Sequence, residues 1–414
     1  MISKIYNRTL FLMALMVIAA PVFAQDTTAA PDNNSSNKNL ELLNIDLGIN
    51  KRDLNLAMSD LNRSLKEGLK DLNSNLHVWV PELKELRNTI SVSVNDAVSD
   101  EMVRDGDVSE KVKTYSKSYP MDANDKLSIN NKYGNVVVKT WNKNEAKVDI
   151  EIKSYASSDA TAQKMIDAIS ISDSKNGDVI SFNTNFGSSS NRSVWDLFNN
   201  MSDNHKVEVN STIYTPSKNA LDIKNRYGSM ELPDFDGRVT IDCAYGNVEA
   251  KSLMNGDNQV DVKYGNASID ALGSGDVNVK YGNLDLGSVD KLNFSIGNGS
   301  VRIGRIKTSA NINAHYAGGI QIDNLDKNFK SFSYSASYSS LKVGVDNSSN
   351  ANFDVTVRYG SFNYDGLPVE ITEKTPSDDS KGWKPTKNFK GHVGKANADR
   401  TISISSSYGD VKFE

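Results

Sequence analysis

The chain has almost no cysteine: Cys243 stands alone in 414 residues. That excludes an intramolecular disulfide, whatever the redox state of the compartment. Histidine is nearly as scarce, and His77, His205, His315 and His392 show no metal-ligand spacing. There is no excess of positive charge. The formal net charge is −5, which removes the electrostatic case for nucleic-acid binding. Past residue 24 no stretch is apolar for long enough to span a membrane as a helix. A Gly-x-Ser-x-Gly elbow, a phosphate-binding loop and a His-Glu-x-x-His pair are all missing, and Gly318-Gly319 does not continue as a calcium-binding nonapeptide. Nothing in the sequence calls for a cofactor or a metal.

The first 24 residues have the pattern of a secretory signal peptide. Lys4 and Arg8 precede an apolar run from Leu10 to Ala20, and Val22-Phe23-Ala24 places small or medium residues before Gln25. No cysteine follows the run, so lipoprotein attachment is excluded. The expectation is an exported protein of the cell envelope, in the periplasm or on the cell surface. Residues 25–38 are rich in Asn, Ser, Thr and Asp and read as a disordered linker.

Residues 39–114 read as a helical segment. Leu54, Met58, Leu61, Leu65, Leu69, Leu72 and Leu76 form one apolar stripe at helical spacing. Such a stripe serves as a cap on a neighbouring domain, as a homo-oligomeric coiled coil through residues 54–76, or as a helix lying on a membrane surface.

The remaining residues, 115–414, are organised by a repeat. Asp261-Val-Lys-Tyr-Gly-Asn-Ala-Ser-Ile269 recurs around Tyr245-Gly246-Asn247 and Tyr281-Gly282-Asn283. Looser copies sit at Tyr133-Gly134-Asn135, Tyr227-Gly228, Ile296-Gly297-Asn298, Tyr359-Gly360 and Tyr408-Gly409. Tyrosines 227, 245, 264 and 281 are 18, 19 and 17 residues apart. A fixed period with one strand-like motif per period marks a repeat architecture. Val260, Val262 and Tyr264 alternate, which predicts a strand with these three side chains inward. Gly-Asn then has to bend the chain, because both residues tolerate φ > 0.

Two all-β folds satisfy this pattern. In a β-solenoid, Gly-Asn is a corner and each coil stacks on the last, giving ladders of Tyr, Gly and Asn. In an antiparallel β-meander, Gly-Asn is the turn of a hairpin. Constant spacing favours the solenoid, where each repeat contacts mainly its neighbours. Ser158 or Asp159 is expected to cap a short helix with Ala162, Met165, Ile166 and Ile169 on its apolar face. Two stretches, 183–204 with Trp195 and 368–390 with Trp383, read as exposed excursions, and the two tryptophans are candidate binding anchors. Cys243, between Ile241 and Tyr245, reads as a small buried apolar residue.

The segment Leu127 to Trp141, the helix-containing stretch after it and the serial Tyr-Gly-Asn/Ser/Asp motifs resemble the bacterial adhesin-type β-solenoid domains, relatives of auto-transporter adhesin heads, many of unknown function. The resemblance spans residues 115–414. It implies a right-handed parallel β-helix and an envelope protein that is not an enzyme but binds, adheres or scaffolds. It carries no catalytic residues over. The partner is unknown; a cell-surface glycan or an envelope protein fits such a role. The alternatives are a polysaccharide-active β-helix enzyme, for which Asp261, Asp270, Asp276 and Asp285 recur on outward positions, and a periplasmic sensor or stress-response partner.

Overall fold

The computed structural model describes residues 108–187 and 205–414, apart from single positions 347, 378, 381 and 397. The signal peptide, the linker, the Leu54–Leu76 stripe and Trp195 lie outside the described residues. Strand Ser109–Pro120 begins ahead of the expected boundary at 115, so residues 109–114 belong to the sheet and not to the helical segment.

The centre of the molecule is a parallel ladder in which each repeat pairs with the one before it. Val239–Ala244 pairs with Ala220–Arg226 on one side and Asn258–Lys263 on the other, with Ile223, Ile241 and Val260 in register. The ladder continues through Val260↔Val277 and Val277↔Phe294. A second file runs beside it beyond each tyrosine, through Met230↔Val248, Val248↔Ala267 and Ala267↔Leu284. The strands on either side of a Tyr-Gly-Asn motif pair with neighbouring repeats and not with each other, so the hairpin meander is not the arrangement here.

The inward positions carry the core. Ile241, Val260, Val262, Val277, Val279, Leu284 and Leu286 are all buried. Each such side chain contributes about 1.5–3 kcal/mol by leaving water, and the period-two alternation of small branched residues keeps the interior filled at a constant strand spacing.

The sheet is all-β but mixed, which corrects the expectation of a uniformly parallel stack over 115–414. At one end Lys126–Lys132 joins the ladder in parallel with Ala220–Arg226 and with Val179–Phe186, but Ile169–Asn176 then adds antiparallel. Ser109–Pro120, Glu145–Ala156 and Lys206–Thr215 are also antiparallel neighbours. At the other end Thr386–Val393 runs antiparallel to Ala351–Arg358, and Val369–Thr375 antiparallel to Thr386–Val393. The supposed excursions are therefore partly sheet: Asn183–Phe186 ends a strand, and 368–390 holds most of a hairpin. The physical reason is the edge. A stack of parallel strands ends in unpaired backbone groups, and polar outer strands such as Val369–Thr375 (VEITEKT) blunt that surface.

Chain order is broken at both ends: Lys126–Lys132 lies between Val179–Phe186 and Ala220–Arg226, and a second break follows Ser337. Thr401–Ser407 lies between Ser331–Ser337 and Ala351–Arg358, parallel to both, and Val411–Phe413 lies between Leu341–Val345 and Phe362–Asn363.

Helix α1 (Asp159–Asp167) forms where expected. The Ser158 side chain accepts the Thr161 N–H, and Ala162, Met165 and Ile166 are buried. Ile169 belongs to the following strand, not to the helix. The hydroxyls of Tyr115 and Tyr119 both donate to the Asp173 carboxylate, tying the first strand to Ile169–Asn176. These two bonds hold the Asp173 carboxyl below its ordinary range.

At Gly265 the stacking of repeats requires glycine at the corner. A Cβ on Gly265 would lie 1.8 Å from the carbonyl oxygen of Gly246, the same position one repeat earlier. Gly256 has open space around its Cα. Gly265→Ala is expected to destabilise the chain by about 3 kcal/mol or more, as a backbone clash that no rotamer relieves, while Gly256→Ala stays within about 0.5 kcal/mol. Urea or thermal unfolding of the two variants checks this, and similar midpoints would contradict the close-approach account.

Candidate binding face

The corner gives each of its three residues a separate task, and the tyrosine's task differs from the expected one. Tyr264 has φ 57° and Tyr281 φ 58°, so the tyrosine takes the left-handed conformation, not the Gly-Asn pair after it. That conformation breaks the period-two count. Val262 and Ala267 both face the core although five positions separate them, and Tyr264 faces out, about half exposed. The inward tyrosine inferred from alternation is thereby corrected.

The asparagine supplies an acceptor to the next repeat. Asn247 Oδ1 accepts the backbone N–H of Asn266 at 3.0 Å, and Asn266 Oδ1 accepts that of Asn283 at 3.0 Å. The side-chain amides of Asn266 and Asn283 donate to the preceding Oδ1 as well. The row continues with substitutes: Ser229 N–H donates to Asn135 Oδ1, and Ser300 N–H to Asn283 Oδ1. Asp410 plays the same part for Ser361.

The tyrosines form an exposed column. Tyr133, Tyr227, Tyr245, Tyr264 and Tyr281 stack with ring centroids 4.9–5.0 Å apart and planes within 9° of parallel. A second run, Tyr316, Tyr338, Tyr408 and Tyr359, stacks at 4.7–4.8 Å, its order set by the inserted strand. Phe186 closes the first run edge-on against Tyr133 at 5.1 Å, and Trp383 closes the second against Tyr359 at 5.8 Å. Burial, then the neighbouring Tyr227, pushes the Tyr133 hydroxyl above its usual pKa.

Tyr316 and Tyr338 are members that motif reading missed, because Ala317 and Ser339 follow them in the place of glycine. The copy read at Ile296-Gly297-Asn298 is out of register: Asn298, at φ 61°, takes the tyrosine's conformation, with Gly299 and Ser300 after it. The tyrosine column is therefore interrupted at Asn298.

Beside the column, the position before the tyrosine is cationic in five repeats, at Lys132, Arg226, Lys263, Lys280 and Arg358, and is Ala244, His315, Ser337 or Ser407 in the others. Lys132, Arg226, Ala244, Lys263 and Lys280 are in register across successive strands. Arg226, Lys263 and Lys280 are exposed, and Arg358 sits 5.4 Å over the Tyr359 ring.

The other candidate residues are placed as follows. Trp383 is largely exposed and borders a shallow depression of about 310 Å³ with Tyr359, Pro385 and Lys387. Of the outward aspartates, Asp261 accepts the Asn278 amide at 2.9 Å and is the register partner of Asp242, and Asp276 accepts the Asn293 amide at 2.9 Å. Among the described residues no group of His, Cys, Asp and Glu is placed to hold a metal ion. Cys243 is fully buried inside the corner, and burial, then Asp242, pushes its thiol up to about 12. Among the described residues no helix is long and apolar enough to cross a membrane.

No protein-family model matches the chain, and no curated protein matches it in sequence. Among solved structures it is similar to a candidate cell adhesion protein of Clostridium sporogenes, at 11% identity over 73% of this chain and 99% of that one, with a TM-score of 0.22. It is also similar to a candidate adhesin of Bacteroides fragilis, at 14% identity over 73% and 97% of the two chains, with a TM-score of 0.30. A candidate lipid binding protein of Parabacteroides distasonis shares 12% identity over 73% and 97%, with a TM-score of 0.28.

The tyrosine's left-handed backbone costs about 1–2 kcal/mol in an L-residue, and a stacked ring pair returns about 0.5–1.5 kcal/mol. Tyr264→Ala forfeits the stacking and keeps the strain, so it is expected to cost about 1–3 kcal/mol. Tyr264→Gly forfeits the stacking and sheds the strain, so it is expected to cost about 1 kcal/mol less than Ala. Equilibrium unfolding of both variants measures the difference, and an Ala variant as stable as the Gly variant would remove strain from the account.

Proposed function

We propose that this chain is an exported cell-envelope β-solenoid with a non-enzymatic role, binding an envelope or surface partner through its aromatic column and the cationic row beside it. The exposed tyrosine column carries this reading. Rings that lie half exposed in two stacked runs, with Arg226, Lys263 and Lys280 beside the first, offer apolar contact and charge along the ladder. Aromatic and cationic side chains are the types that anchor interfaces. The outward Asp–Asn pairs count against a polysaccharide-active enzyme, since an acid and a base need two carboxylates facing one bond. The expected signal peptide supports export.

The test joins location and binding. Antibody against the full chain, applied to intact cells, is expected to stain them if the column faces outward; staining only after the outer envelope is opened would favour a periplasmic scaffold or sensor. The purified mature protein is expected to be retained on isolated envelope material, and replacing Arg226, Lys263 and Lys280 with Gln should lower retention at least fivefold without shifting the unfolding midpoint by more than a few degrees. Turnover of a polysaccharide, or retention indifferent to the cations and to Tyr245→Ser, would overturn the reading.

A further inference from the structure

The break in the tyrosine column is a slot of defined width. Asn298 occupies the tyrosine position of its repeat, with the same left-handed backbone, but carries no ring. The Tyr281 and Gly282 N–H groups donate to Gly297 O at 2.9 Å and Asn298 O at 3.1 Å, which places the Asn298 repeat directly beside Tyr281. A Cβ built on Gly318, two residues after Tyr316, would meet Gly299 O at 3.8 Å, which places the Tyr316 repeat on its other side. Tyr281 and Tyr316 are therefore separated by two strand spacings where all other neighbouring rings of the column are separated by one.

Exposure agrees with this. Tyr281 and Tyr316 are 55% and 52% exposed, against 47–50% for Tyr227, Tyr245, Tyr264, Tyr338 and Tyr408. Tyr281 stacks on Tyr264, and Tyr316 stacks on Tyr338 and meets the His315 ring edge-on at 4.5 Å; the two tyrosines do not stack on each other, because the Asn298 repeat lies between them.

The rest of the column indicates what fits there. Where a ring face would otherwise end the column, an aromatic side chain from outside the repeat covers it: Phe186 on Tyr133 and Trp383 on Tyr359. Two strand spacings leave room for one ring in stacking contact with both walls. The floor is Gly297-Asn298-Gly299, and nothing lies within 4 Å of a Cβ built on Gly297. On the strand before the corner, Ser295, Asn313 and His315 border a depression of about 290 Å³, so polar groups adjoin the slot. His315 is turned away from Asn298, toward Ser337, which holds its Nδ1. Lys280 precedes Tyr281, is exposed, and has no ion-pair partner among the described residues.

We propose that the gap over Asn298 is a ligand site that takes a single aromatic ring, stacked between Tyr281 and Tyr316, from a partner segment that carries negative charge next to that ring. The site rests on the binding role proposed above and gives it a place and a chemical class: an aromatic side chain flanked by acidic residues, with Lys280 meeting the charge.

The test uses the full mature chain and the peptide acetyl-Glu-Trp-Glu-amide, followed by saturation-transfer NMR of its indole protons. Wild type is expected to transfer saturation and to shift the indole resonances upfield. Asn298→Tyr, which fills the slot, is expected to reduce binding at least tenfold while the unfolding midpoint stays level or rises. Tyr264→Asn opens a second gap and is expected to add a second site. Lys280→Gln should weaken the acidic peptide severalfold and leave acetyl-Gln-Trp-Gln-amide unchanged. Equal binding by wild type and Asn298→Tyr would overturn the proposal. So would a neutral oligosaccharide that binds in place of the peptide and is excluded by Asn298→Tyr, since the occupant would then be a sugar. Envelope retention of the same proteins separates the two levels: retained wild type without any peptide signal removes the slot alone, whereas absent retention removes the binding role beneath it.

Discussion

From Gly228 to Gly299 the ladder depends on how closely one corner glycine can lie on the carbonyl of the glycine before it. Gly228, Gly246, Gly265, Gly282 and Gly299 each bring the corner so near to the preceding one that a single methyl group would stand within 2.0 Å of its oxygen. That contact fixes the distance between repeats at the corner, and the rest follows from the distance. The rings above the corner meet at stacking range because the backbones below them meet at strand range. The asparagine carboxamide reaches the next backbone N–H for the same reason.

The tyrosine position shows how opposing terms settle a residue choice. A left-handed backbone penalises a bulky L-residue, and Gly or Asn would adopt it at lower cost. The column nonetheless uses tyrosine in nine repeats, where the stacked neighbours return an energy comparable to the penalty. Asn298 holds this position without a ring, and it is a residue type that enters this conformation readily after glycine. Inside the corner a similar substitution occurs with polar groups. Asn225 donates to the carbonyls of Gly134 and Gly228, and one repeat later the buried Cys243 takes its place and only approaches Gly228 O at 3.8 Å.

Much of the architecture could be read from residues. The buried file of Val260, Val262, Val277 and Val279, the repeat length and the Ser158 cap all rest on local rules with a direct physical cause. The direction of the tyrosines could not be read that way, because counting in twos assumes that every residue is extended, and one left-handed residue reverses the count. Tyr316 and Tyr338 do not show as copies of the motif, because Ala317 and Ser339 stand where its glycine would be. The antiparallel end strands were hidden for a different reason. Their sequences alternate like any strand, and nothing in Thr386–Val393 states which neighbour it will meet or in which direction. The slot is a property of absence, visible only once the ring column is known to be continuous elsewhere.

The placement of Thr401–Ser407 between Ser331–Ser337 and Ala351–Arg358 has a consequence for how the chain acquires its structure. Through the middle of the ladder each strand finds its partner within about one repeat of sequence, so assembly can propagate from neighbour to neighbour at low contact order. Past Ser337 that rule fails. Ala351–Arg358, which follows Leu341–Val345 in the chain, presents the same alternation as the proper partner, and pairing it directly with Ser331–Ser337 would leave Thr401–Ser407 no place to enter. An intermediate of that kind would have to reopen before the native order could form, a kinetic trap of the sort that strand equivalence creates. The similarity between repeats that makes the ladder easy to extend is, at this crossing, what makes it possible to build wrongly.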